Sequence, residues 1–293
     1  MKVVNIRFGL ILLAASATAR LTAAELQPVT LAAWSGYIQR ADLLMEARLG
    51  SQRPFLWTDE VAERSARLRR GEIVVAPVSG RGMQTVTNGL IHDWIGAAFI
   101  PNATLGDLLS VLRDYDRYKE VYKPVVANSK TIACSETEQQ FSMSWQHRVL
   151  FLNAAMRAEY RAHDFVVDGR RGYNIADTTR VQEIEDFGQR GERLLAPDHG
   201  NGFIWRLHSI ARYEARDGGV YLELEAIALT RDIPGSLRWL VDPVAKRLSI
   251  SSLVTSLRQT RGAVNSLPRL QERFASCAIA RGAPESAPSG AEK

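Results

Sequence analysis

The chain has 293 residues, 46% of them hydrophobic and 24% charged, a globular composition that excludes a disordered, collagenous or multispan membrane protein. A formal charge of +5 invites a nucleic-acid reading, but Lys2, Arg7 and Arg20 all precede the first acidic residue, Glu25, and the rest of the chain is nearly neutral.

Residues 1–24 have the pattern of a secretory signal: a basic start, an apolar run from Phe8 to Ala19, and small residues leading to Thr22-Ala23-Ala24, with a second cut conceivable after Ala19. The apolar run is about 12 residues, and a spanning helix needs about 20. A periplasmic or secreted location is expected. Cys134 and Cys277, the only cysteines, fit either one disulfide, which would stabilise by about 4 to 5 kcal/mol in the chain-entropy model, or two buried or unreactive thiols.

Residues 25–71 read as an N-terminal helical extension. Leu31, Trp34, Ile38, Ala41, Met45 and Leu49 recur at three- and four-residue steps, which predicts a helix of about 20 residues. Gly50 and Pro54 end it. Thr58 or Asp59 caps a second short helix through Arg70, closed by Gly71. The plainer expectation is that the pair packs on the domain that follows; recruiting a partner is the other.

A domain over 72–275 follows. Ile73-Val74-Val75 and the run from Val86 to Ile100 predict two strands, and Pro101 ends the second. Thr104 and Asp107 form a capping-box pair ahead of a helix whose apolar face is Leu105, Leu108, Leu109 and Leu112. A short helical piece from Tyr115 to Tyr122 stops at Pro124. Six strands are then expected, near 125–134, 139–150, 153–166, 172–187, 201–216 and 219–231. In the third, Arg157, Glu159, Arg161 and His163 alternate with Met156, Ala158, Tyr160 and Ala162, so an antiparallel sheet with one wet and one covered face is predicted. The cover is a long last helix bearing Leu237, Leu240, Val241, Val244, Leu248, Leu253, Leu257, Val264, Leu267 and Phe274, broken or kinked at Pro243 and Pro268. Residues 276–293 are expected to form a disordered tail.

This order of elements, with Asp93-Trp94-Ile95-Gly96, Phe99-Ile100-Pro101, Asp114-Tyr115-Asp116-Arg117-Tyr118, Tyr122-Lys123-Pro124 and Thr230-Arg231-Asp232-Ile233-Pro234 before Leu237-Arg238-Trp239, resembles the START-like (SRPBCC, polyketide cyclase-like) superfamily. The resemblance covers about residues 72–275, rests on structural rather than catalytic motifs, and leaves out the N-terminal helices. It implies an α+β helix-grip fold, a curved antiparallel sheet wrapped around a long C-terminal helix, with a cavity between them for an apolar small molecule such as a lipid.

Within that frame Phe141, Met143, Trp145 and His147 share one strand face and are candidate cavity-lining residues; Met156 and Tyr160 continue it, and Trp205, Leu207, Ser209 and Tyr213 form another inward face. A stripe of Met and aromatic residues is also what plain core looks like, and His147 also fits a hydrogen-bonded structural histidine. Glu223 and Glu225 share a face with Tyr221, Ile227 and Leu229; they are expected to be solvated outer-face groups or one satisfied ion pair, while an inward pair could do acid–base work or pair with Arg231. No nucleophile elbow, phosphate loop or metal-ligand spacing is present, and no cofactor is expected. The clusters Arg64, Arg67, Arg69, Arg70 and Lys246-Arg247 lack an aromatic platform, so they do not point to nucleic acid; weak attraction to an anionic membrane surface suits them better. The expected function is binding or carriage of a hydrophobic, lipid-like molecule by an exported protein. The alternatives are a cyclase, dehydratase or hydrolase using His147, Tyr160 or the Glu223/Glu225 pair, and a non-catalytic interaction module.

Overall fold

The computed structural model describes residues 24–135, 137–149 and 152–266. The expected signal up to residue 23, Pro268, Cys277 and the expected tail lie outside the described residues. Cys134 is exposed at the end of its strand.

The elements in chain order are β1 (Ala24–Glu25), α1 (Pro28–Leu49), a 3-10 turn (Trp57–Glu60), α2 (Ala62–Arg69), β2 (Val74–Pro77), β3 (Met83–Val86), β4 (Gly89–Pro101), α3 (Leu105–Leu112), a 3-10 turn (Tyr115–Arg117), α4 (Tyr118–Val121), β5 (Val126–Cys134), β6 (Glu138–Val149), β7 (Leu152–Val166), β8 (Arg171–Glu185), β9 (Arg193–Leu194), β10 (His199–Gly200), β11 (Arg206–Arg216), β12 (Gly219–Arg231) and α5 (Gly235–Ser266). One antiparallel sheet runs β2-β4-β12-β11-β8-β7-β6-β5, with β3 also on β4 and β9 on β8. β1 pairs with β10 in a separate two-stranded ladder. Together with the long last helix this is the α+β helix-grip arrangement, carrying an N-terminal helical layer.

The local code accounts for most of these elements. Thr104 caps α3 with its side chain while the Asp107 carboxylate accepts from the Thr104 backbone, the expected capping box. Gly71, with φ +86°, closes α2 in a conformation that a side chain would strain. The run from Val86 to Ile100 is not one strand: Asn88, at φ 56°, turns β3 back onto β4. α5 continues through Pro243 instead of breaking there. It packs chiefly on β4, where Gly96 permits close approach; a Cβ at that position would sit 2.8 Å from Leu257 Cδ1.

The extension lies on the convex face of the sheet, where Met45, Phe55, Leu56, Trp57 and Leu68 pack against Ile95, Ala97, Phe99, Ile210 and Tyr221. On α1 the buried positions are Thr30, Trp34, Tyr37, Ala41, Met45 and Arg48, while Leu31 and Leu49 are exposed. The buried stripe is thus rotated from the expected one, because Tyr37 enters to meet the buried carboxylate of Asp93 and Arg48 the partly buried one of Glu60. The expected wet outer face holds for β7 only as far as the extension leaves it free; every residue of β4 from Gly89 to Ile100 is buried.

On the concave face two clusters stand apart. One joins α3 and α5 to Ala98, Ile100, Tyr213, Val220 and Leu222. The other gathers Tyr115, Phe141, Trp145, Met156, Tyr160 and Val181 on the β6–β8 half of the sheet.

Candidate functional site

Between these clusters the concave face is paved with small residues. The register aligns Trp94, Ala226, Ser209, Ala176, Ala162 and Gln139 in one row across the sheet, and His92, Ala228 and Leu207 in the next. Ala226, Ala228, Leu207, Ser209, Ala211 and Ala176 are only partly buried, although they point to the side that the last helix covers. Short side chains on a curved sheet leave room that neither cluster fills. The result is an apolar trough whose floor solvent reaches. Two surface grooves, of about 330 Å³ beside Pro243, Lys246, Arg247 and Ile250 and about 290 Å³ between Phe99, Pro101 and Arg261, share no residue with it.

One wall of the trough is aromatic. The Phe141 ring is stacked between Tyr115, 3.9 Å away at 8°, and Tyr160, 4.7 Å away at 3°. Tyr118 meets Phe141 edge-on, and Tyr122, on the far side of Tyr118, shares a 2.9 Å hydrogen bond with Thr260 of α5. Further along β6, Trp145 and His147 lie 6.0 Å apart, and burial lowers the His147 imidazole from its ordinary value, favouring its neutral form. Tyr160 and Trp145 are each 7% exposed, and the Tyr160 hydroxyl and Trp145 Nε1 find no partner beyond one another. Burial pushes the Tyr160 phenol above its ordinary value, and the neighbouring Trp145 indole pulls it partly back.

The trough is closed at one end by a loop that a carboxylate holds in place. Glu183, facing inward beside Met156, accepts from Asn201 N at 2.7 Å, Asn201 Nδ2 at 3.1 Å and Phe203 N at 3.0 Å. Gly200, at φ +137°, makes this possible, since a Cβ there would lie 2.6 Å from Glu183 Oε2. The loop sets Phe203 and Ile204 onto the aromatic cluster. At the α3 side a polar seam separates the two clusters: Arg113 pairs with Asp164 at 3.0 Å, and Asn174 Nδ2 donates to Asp164 at 3.1 Å. Burial, then the Asp164 charge, pushes Tyr213 up to about 12.

The expected site residues therefore divide. Phe141, Met143, Trp145, Met156, Tyr160 and Leu207 come together in one cluster, with His147 beside Trp145. Ser209 lies on the trough floor, and Tyr213 belongs to the α5 side. Trp205 does not line the trough: it precedes β11 and is buried with Leu26, Trp34, Tyr37 and Ile227 under α1. Glu183 and the Arg113–Asp164–Asn174 seam were not among the expected residues; the paired glycines Gly200 and Gly202 are the one local hint of a carboxylate-bound loop.

Of the readings of Glu223 and Glu225, the satisfied ion pair is the one observed: both point to the convex face, neither is solvated, and their partner is Arg212 and not Arg231. Glu223 accepts from Trp57 N at 2.9 Å, Thr58 N at 2.8 Å and Arg212 Nε at 3.2 Å, while Arg212 donates to Glu225 at 2.8 Å. Burial opposes the Arg212 charge, but Glu225 and Glu223 more than offset it and hold the guanidinium above its ordinary value. Beside them Asp93 accepts from the Tyr37 hydroxyl at 2.7 Å, and burial, with the Glu225 charge, pushes its carboxyl from 3.8 up to about 7. This network fastens the extension to the sheet and has no route to the trough, so it supplies no acid–base pair there. Among the described residues no cluster of His, Cys, Asp or Glu could hold a metal.

No family model and no curated protein sequence matches the chain. Solved structures similar to it include a STAR-related lipid transfer protein fragment from Xanthomonas axonopodis, with 16% identity over 66% of this chain and 98% of that one and a TM-score of 0.41. Human STARD10 is similar with 11% identity over 69% of this chain and 78% of that one, TM-score 0.40. The Zhui aromatase/cyclase from Streptomyces sp. R1128 is similar with 12% identity over 60% of this chain and 94% of that one, TM-score 0.38.

Proposed function

We propose that the protein is an exported binder or carrier of an apolar small molecule, which occupies the concave trough without covalent chemistry. The observation that carries this reading is the partly exposed apolar floor of Ala176, Leu207, Ala211, Ala226 and Ala228, set between two buried clusters. An apolar ligand laid on it gains about 25 cal/mol for each Å² of apolar surface removed from water. Export is proposed from the leader sequence alone, and weak contact with an anionic membrane surface from the basic pairs on exposed helices.

The test is native mass spectrometry with solvent extraction of the protein recovered from a periplasmic fraction, beside an Ala226→Trp variant. Wild type should carry a co-purifying apolar molecule and the variant should carry none. A wild type that emerges empty and binds no apolar probe sinks the carrier reading, and retention of the whole protein in the cytoplasm sinks the export reading.

A further inference from the structure

Cys134 ends β5, and the ladder puts it on the concave face: it pairs with Gln139, which pairs with Ala162 in the row that forms the trough floor. Among the described residues no cysteine is free, and the Cys134 sulfur is in a disulfide. The chain has one other cysteine, Cys277.

The last turns of α5 lie within reach of that corner. Val264 packs with Leu108 and Val111 of α3, Thr260 shares its hydrogen bond with Tyr122, and Gln259 Nε2 donates to the Lys123 carbonyl at 2.7 Å. α3 leads from this contact toward Cys134: Arg113, its C-cap, pairs with Asp164 at 3.0 Å, and Gln139 Nε2 donates to the same carboxylate at 3.4 Å. One helix spacing, one arginine–carboxylate bridge and two strand spacings separate the end of α5 from Cys134, together at most about 30 Å. From Ser266 to Cys277 the chain advances eleven residues, which reach about 36 Å when extended.

That length leaves room for two turns of helix, and the sequence is phased for them. Leu270, Phe274 and Cys277 follow at i, i+4 and i+7, one face of a helix, and Pro268 suits the first turn of one. The sulfur and the apolar face point the same way, so a bond to the concave side of β5 turns Leu270 and Phe274 onto the protein.

We propose that a Cys134–Cys277 disulfide straps residues 267–276 over α3 and the Arg113–Asp164 seam. The strap closes the trough at the end away from the Glu183 loop, since Gln139 lies six residues along β6 from Trp145, in whose row Glu183 stands. The closing effect rests on the carrier reading above; the bond does not. The bond forms by exchange with a disulfide oxidant: the Cys277 thiolate attacks one of its sulfurs and the Cys134 thiolate attacks the mixed disulfide. The oxidant takes the two electrons and the two thiol protons and leaves as two thiols.

The experiment uses the purified full chain, oxidised with glutathione disulfide. Denatured without reductant it should take no iodoacetamide label, after reduction it should take two, and proteolysis before reduction should release one linked peptide pair holding both cysteines. Reduction should lower the melting temperature by about 10 °C in wild type and leave a Cys134→Ser/Cys277→Ser variant unchanged. Amide exchange in α3 should speed at least tenfold on reduction, and also in an oxidised Phe274→Ser variant that keeps the bond. N-phenyl-1-naphthylamine should leave the reduced protein at least threefold faster than the oxidised one. Two labels before reduction, or a disulfide-linked dimer on a non-reducing gel, overturns the bond and the strap together. A bond with unchanged exchange in α3 overturns the strap, and equal dye release from both forms overturns the closing of the trough. A dye that binds neither form overturns the carrier reading, while labelling and exchange still decide the bond and the strap.

Discussion

The two faces of β4, β12 and β11 invert the usual relation between polarity and burial. The convex face carries Asp93, His208, Arg212, Glu223 and Glu225 and is buried; the concave face carries Ala226, Ala228, Ser209 and Ala211 and is partly open. Charge was not expelled to solvent, because each carboxylate finds a donor from the extension or from Arg212, and a buried ionic group is tolerated when its partners are supplied. Apolar surface was not covered, because small side chains and a helix anchored mainly on β4 leave a gap. Burial on one face secures the layer, and exposure on the other leaves a place for a ligand.

The largest effect should come from the buried side. Arg212→Met removes the common partner of Glu223 and Glu225 and is expected to cost about 3 to 5 kcal/mol in urea unfolding. A cost below about 1 kcal/mol would show that the convex network is not what fastens the extension.

A smaller effect should appear with pH. Asp93 binds its proton more tightly in the folded state, about 7 against 3.8, so the folded protein holds more protons between these values. Stability is therefore greatest below about pH 4 as far as this group is concerned, falls as pH rises to about 7, and is flat above. Asp93→Asn should flatten that slope in unfolding curves measured from pH 4 to 8; an unchanged slope would assign it to other groups.

The smallest effect on stability, and a large one on binding, is expected on the concave side. Ser209→Leu adds volume to the open floor, so unfolding should shift by no more than about 0.5 kcal/mol while apolar probe affinity falls at least tenfold. A loss of stability comparable to that of Arg212→Met would show that the floor is packed and would erase the contrast between the faces.

What the sequence revealed and what it hid follow from the range of each signal. Alternation within β7 and the capping pair Thr104/Asp107 are local, and both elements form where expected. The partner of Glu223 sits directly across the β11–β12 ladder at Arg212, a relation set by register and invisible in either strand alone. Tyr37 and Arg48 entered the buried side of α1 because Asp93 and Glu60 await them there, which apolar spacing cannot show. Trp205 was misplaced because alternation was extended past the start of β11. The aromatic wall was legible as a stripe on β6, but the approach of the Trp145 indole to the Tyr160 phenol on the neighbouring strand was not.

The edges of the sheet also decide how copies of this chain can meet. One edge of β4 is occupied by β2 and β3 in succession. At the other end of the sheet, β5 runs with two register shifts, and the helical turns beside it hold one of its backbone groups and one of its side chains: Asp116 accepts from Thr131 N at 2.9 Å, and the Ser129 hydroxyl accepts from Lys119 N at 2.9 Å. A strand from a second molecule therefore finds only short or interrupted ladders to extend, four residues each on β2 and β3 and a twice-bulged β5, which disfavours growth of the sheet into a filament.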